Sequence, residues 1–148
     1  MTTLLLFLLL KLGPVGIYPP PSTPGVTNPM VTQANIQKTI CVANWTSTIR
    51  PPASYTTKLK IQQMKDLGLK GSPHDYEEDH LISLEIGGSP TDPKNLWPQP
   101  YMPLPGAHQK DDVENFLHRQ VCAGKITLAE AQKEIVSDWY KVYLQIKK

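Results

Sequence analysis

Asp79 and His80 stand side by side in Tyr76-Glu77-Glu78-Asp79-His80-Leu81-Ile82-Ser83-Leu84-Glu85-Ile86-Gly87-Gly88, at the mouth of a short apolar run. A carboxylate beside an imidazole suits phosphodiester hydrolysis. The carboxylate can hold a hard divalent cation, and the imidazole takes a proton from water near neutral pH. Asn95 opens a second apolar run, Asn95-Leu96-Trp97-Pro98. Between the runs, Gly87-Gly88 and Ser89-Pro90-Thr91-Asp92-Pro93 let the chain reverse and bring Asn95 back beside His80. Each residue also has a plainer reading: a surface histidine, a strand-end carboxylate, an asparagine in a loop.

The elements that must position these residues are legible in outline. A hairpin is expected, with an irregular first strand at about 79–85 and a short second one at 95–97. Before it, Ser54 can cap a helix through about Leu67, with Leu59, Gln63 or Met64 and Leu67 on one face and Gly68 at its end. The β-branched residues between Thr39 and Ile49 suggest a short strand or strand pair, and residues 69–77 a loop. Pro98, Pro100, Pro103 and Pro105 exclude regular structure after the hairpin. A helix should then run from Ala107 to Val121, with Val113, Phe116, Leu117 and Val121 toward the core and Gly124 just past its end. Thr127 with Glu130 forms a capping box for a last, amphipathic helix carrying Leu128, Ala131, Ile135, Trp139 and Val142. No internal repeat is present.

The 148 residues fit one small α+β domain with a single modest core. A net charge of +2 does not by itself announce nucleic acid, but its distribution is uneven. Residues 38–70 carry six basic side chains against Asp66 alone; residues 71–95 carry six acidic ones against Lys94 alone. A metal centre flanked by a phosphate-binding surface needs such a division, although two solvated faces would give it as well. Leu4 to Leu10 are seven apolar residues, too few for a bilayer span of about 20. They read as a truncated or unusual export signal, with an N-terminal membrane tether or a misassigned start site as the alternatives. Residues 12–30 are rich in Pro, Gly, Ser and Thr and read as an extended linker, so the chain divides into 1–30 and a domain over 31–148. Cys41 and Cys122 fit one disulfide in a secreted or cell-envelope protein, or two buried thiols.

The run Asp79 to Gly88 with Asn95-Leu96-Trp97-Pro98 resembles the HNH nucleases, and more specifically a small secreted HNH-like family found mostly in bacteria. Thr39 to Thr56, Lys110 to Gln132 and Asp138-Trp139-Tyr140 extend the resemblance from about Val31 to the C-terminus. It implies a ββα-metal core, a hairpin and helix gripping one cation, with an extra N-terminal helix and a C-terminal one. On that resemblance His80 is the general base, Asp79 the first metal ligand, and Asn95 the residue that orients the histidine ring through a carbonyl of the opposite strand. The helix after the hairpin should supply the last ligand: His108 first, with Asp111 and His118 as alternatives. Mg²⁺ or Mn²⁺ is the expected ion, with Zn²⁺ or Ni²⁺ possible. Arg50, Lys58 and Lys110 are candidates for phosphate contacts, although salt bridges would occupy them equally well. The implied activity is an endonuclease with little sequence preference, acting on DNA ahead of RNA, and a separate immunity protein is a conceivable partner. A non-catalytic module that keeps the fold, or an envelope-tethered structural domain, is the alternative.

Overall fold

The computed structural model describes residues 17–148. Helix α1 (Ala53–Asp66) precedes a hairpin of β1 (Tyr76–His80) and β2 (Leu96–Pro100), and helices α2 (Ala107–Cys122) and α3 (Leu128–Ile146) follow it. The strands are antiparallel, running from Tyr76 opposite Pro100 to His80 opposite Leu96. Short 3₁₀ turns fill most of the connections.

The core lies between α2, α3 and the hairpin's long connection. Val113, Leu117 and Val121 recur at helical spacing and are fully buried against Ala131, Ile135 and Trp139 of α3. Ile82 and Ile86, from the connection, complete that cluster. Thr127 Oγ1 accepts from the Glu130 amide at 3.1 Å while Glu130 accepts from the Thr127 amide at 2.7 Å, so the expected capping box starts α3. Gly124, at φ +71°, closes α2 in a conformation that costs a residue without Cβ little.

Several expectations need correction. Residues 17–30 are not a free linker. Ile17 is 2% exposed and its carbonyl accepts from Trp139 Nε1 at 2.8 Å; Thr27 bridges Gly88, and the Gly25 amide donates to the Lys94 carbonyl. The few apolar residues among the prolines are enough to dock the segment, so the packed part of the chain reaches back to at least Ile17. Residues 1–16, including the apolar run at Leu4–Leu10, lie outside the described residues. Thr39 to Ile49 form turns and a 3₁₀ segment (Trp45–Thr48) in place of strands. β1 starts and ends earlier than expected, because Ser83 caps a 3₁₀ turn at Leu84–Ile86. β2 runs through Pro98 and Pro100; a two-stranded ribbon has an open edge on each strand, where a missing N–H breaks no ladder bond. Helix α1 is held by polar tethers more than by an apolar face. Met64 is its one buried residue, while Lys60 Nζ donates to the carbonyls of Pro73 and Tyr76 and Gln63 Nε2 to that of Leu96.

Candidate functional site: an acidic cleft between the hairpin and helix α2

The turn that returns Asn95 to β1 is built around the Asn95 side chain, which is completely buried. Its Oδ1 accepts from the amides of Ile82 (3.0 Å) and Val26 (3.2 Å). Its Nδ2 donates to the carbonyls of Ile82 (3.0 Å) and Ser89 (2.9 Å). All four bonding positions of the amide are therefore used to fasten the connection. The fastened loop presents the Pro90 carbonyl to His80, with Nε2 at 2.9 Å. A carbonyl only accepts, so the contact places the proton on Nε2 and leaves Nδ1 with a lone pair. Burial, the largest influence, pushes the His80 pKa below the ordinary histidine value, and the Pro90 carbonyl partly opposes it. The ring is thus neutral near pH 7. Asn95 acts on the histidine by holding the loop that carries this carbonyl, and no direct contact is needed.

His80 lines a cleft of about 230 Å³ together with Arg50, Glu77, Asp79, Ser83, Glu85, Asp111 and Glu114. Negative charge dominates its wall. Burial raises the Glu77 pKa to about 7, helped by the charges of Asp79, Asp111 and Glu114. Glu78, on the neighbouring strand position, is raised to about 8, again first by burial and then by Asp79. Glu85 and Asp111 are also pushed upward, by burial and then by Glu114.

Lys110 of α2 is fully buried beneath this cleft. Its Nζ lies 2.7 Å from Asp79 Oδ2, 2.5 Å from Glu114 Oε1 and 2.8 Å from the His80 carbonyl. Burial alone would lower its pKa, but the two carboxylates outweigh that and hold the ammonium charged. For the acids, burial is the larger influence and Lys110 opposes it, leaving both above their ordinary values.

The structure brings together Asp79, His80 and Asn95, with Arg50 and Asp111 at the same cleft, and leaves the predicted histidine ligands out. The His108 side chain is 71% exposed and turns to Asp111, its Nδ1 3.6 Å from Oδ2. His118 lies under the 3₁₀ region, Nε2 2.8 Å from the Ile40 carbonyl. Lys110 cannot touch a phosphate, because no part of its side chain reaches solvent. Lys58 is exposed on α1. Cys41 and Cys122 form a disulfide, with an S–S length of 2.02 Å. Among the described residues, the one trio of His, Cys or carboxylate donors within 4.8 Å of one another is Cys41, His118 and Cys122. Its two sulfurs are spent on each other, so the trio offers a metal no thiolate.

The acidic cleft fits a hard cation by donor type. Glu85 Oε2 is buried without a hydrogen-bond partner, and burial first, then neighbouring carboxylates, raises the carboxyl pKa values of Glu77 and Glu78, a cost that a bound cation would offset. Among the described residues no tight carboxylate cage is present, so these oxygens would leave a bound ion most of its water. The sequence alone does not mark Glu77, Ser83, Glu85 and Glu114 as site residues, yet all four line the cleft. The Lys110–Glu114 spacing of four on the stripe of Val113, Leu117 and Val121 was the available sign that a lysine would be buried with an acid partner. Among the described residues no helix is long and apolar enough to cross a membrane. No protein-family model, no curated protein and no solved structure matches this chain.

Proposed function

We propose that this chain hydrolyses phosphodiester bonds in nucleic acid at an HNH-type hairpin–helix site, with His80 as general base and a divalent cation as cofactor. The observation that carries the reading is the contact between His80 Nε2 and the Pro90 carbonyl, which leaves Nδ1 unprotonated on a residue that lines the cleft. A neutral, oriented imidazole is what abstraction of a proton from water requires. Asp79, Glu77 and Asp111 would hold the cation, in place of the histidines the sequence suggested. Mg²⁺ or Mn²⁺ there would offset the negative charge that otherwise repels a phosphate and would stabilise charge developing on the scissile group. Arg50 lines the same cleft and supplies a phosphate contact, and Lys58, exposed on α1, is a further candidate for one. The disulfide fits an oxidising compartment outside the cytosol.

Incubation of the purified protein with plasmid, linear DNA and RNA, with Mg²⁺, Mn²⁺ or EDTA, tests this. Cleavage should need the cation, and His80→Ala should reduce it by about 10²-fold or more while the circular dichroism spectrum is unchanged. Equal cleavage by the folded variant would overturn the assignment.

One observation favours a second reading, a non-catalytic module on the same fold: the carboxylate of Asp79 is already paired with Lys110. Under this reading neither Mg²⁺ nor Mn²⁺ produces heat on titration up to millimolar concentration, and no substrate is cut.

A further inference from the structure

Lys110 occupies an apolar stripe yet carries the one wholly buried charge on α2. Its ammonium faces three oxygens: it donates to Glu114 and to the His80 carbonyl, and it pairs with the Asp79 carboxylate at 2.7 Å. Two of those oxygens come from the strand and one from the helix, so the ammonium ties β1 to α2 at the residue preceding the base and at the base itself. Two carboxylates and a carbonyl around one point also form the oxygen-only set that a hard divalent cation accepts. We propose that Lys110 is a resident cation: its ammonium fills the position where these oxygens would gather a metal ion, and its charge sets how tightly the cleft holds one. The claim shares Asp79 with the hydrolase reading but does not need cleavage to occur.

Removing the ammonium while keeping the apolar stem leaves two buried carboxylates facing each other with nothing between them. Such a pair takes up a cation, holds a proton between its oxygens, or fails to fold, so the titrations are run at about pH 8, where a cation competes best with the proton. Mn²⁺ titration of the full chain by calorimetry, alongside melts with and without Mn²⁺, reads the outcome in Lys110→Met. Affinity should rise about tenfold or more over the unsubstituted protein, or the variant should fold only when Mn²⁺ is supplied. The double variant Lys110→Met with Glu114→Gln removes the cation and one anion together. It should fold without Mn²⁺ and lose the gained affinity. Lys110→Met that folds without a gain in affinity, or that stays unfolded with Mn²⁺ present, would overturn the proposal. So would a double variant that binds as tightly as the single one. Because no arm measures cleavage, a protein that cuts nothing but gains Mn²⁺ affinity on losing Lys110 sinks the hydrolase reading and leaves this one standing.

Discussion

Asn95 is the residue on which the site's geometry converges, and its cost of loss follows from its four partners. Asn95→Ala strands two amides and two carbonyls in a buried turn, at positions water reaches poorly. Unpaired buried groups cost about 1–3 kcal/mol each, and partial relaxation brings the expected total to about 3–5 kcal/mol by urea denaturation. Asn95→Asp is the sharper probe. It keeps the shape but sets a carboxylate oxygen against the Ile82 and Ser89 carbonyls. Protonation turns that oxygen back into a donor, so Asn95→Asp should be markedly less destabilised near pH 4 than near pH 8. A loss independent of pH would mean the amide nitrogen is not bonded as described. The return of Asn95 toward His80 is legible from Gly87-Gly88 and the Ser89–Pro93 turn between them. The means by which Asn95 acts is not, because a spacing of fifteen says that two residues meet without saying that a loop carbonyl mediates between them.

At the scale of elements, helical periodicity was the most readable signal. α2 ends within one residue of expectation and α3 starts at the expected Thr127 cap, since Val113, Leu117, Ile135 and Trp139 must all reach one core. The hairpin was read at the right place with displaced strands. Its first apolar run, Leu81 to Ile86, alternates too little to form a ladder and instead folds as a capped 3₁₀ turn in the core. The docking of the proline-rich residues 17–30 is not legible in composition, which measures average apolarity, whereas docking depends on two or three particular contacts such as Ile17 with Trp139. Gly88 marks where the connection is tightest. A Cβ there would overlap the carbonyl of Ile82 and crowd the Asn95 amide, so Gly88→Ala should push the turn away from β1. The expected result is a loss of about 2–4 kcal/mol in stability, together with weaker divalent-cation binding as the His80 end of the cleft opens. Gly124→Ala, where nothing stands within 4 Å of the added carbon, should cost only about 1 kcal/mol, through its positive φ.

The molecule as a whole combines a cross-link with an unbalanced cleft, and the two respond to different conditions. The disulfide spans 81 residues and ties the turn region before α1 to the end of α2. The chain-entropy model gives about 4–5 kcal/mol for a loop of that length, so the Cys41→Ser, Cys122→Ser pair should lose close to that amount at every pH. The acidic cleft acts in a pH-dependent way. Glu77 and Glu78 titrate near 7 and 8 in the folded chain, against 4.5 unfolded. Below about pH 4.5 both states hold these protons and the groups are neutral in the balance. Above that value the unfolded chain ionises first while the folded chain keeps its protons, so stability falls as pH rises and levels off once the folded groups have ionised, past about pH 8. The melting temperature should therefore drop between about pH 5 and pH 8.5, with the cross-linked and serine forms falling in parallel. Mg²⁺ or Mn²⁺ binds the ionised carboxylates, so it should raise the melting temperature at about pH 8.5 far more than at about pH 5, where protons compete for the same oxygens. Melting temperatures that climb over that range, or a cation effect equal at both ends, would place the excess charge somewhere other than this cleft.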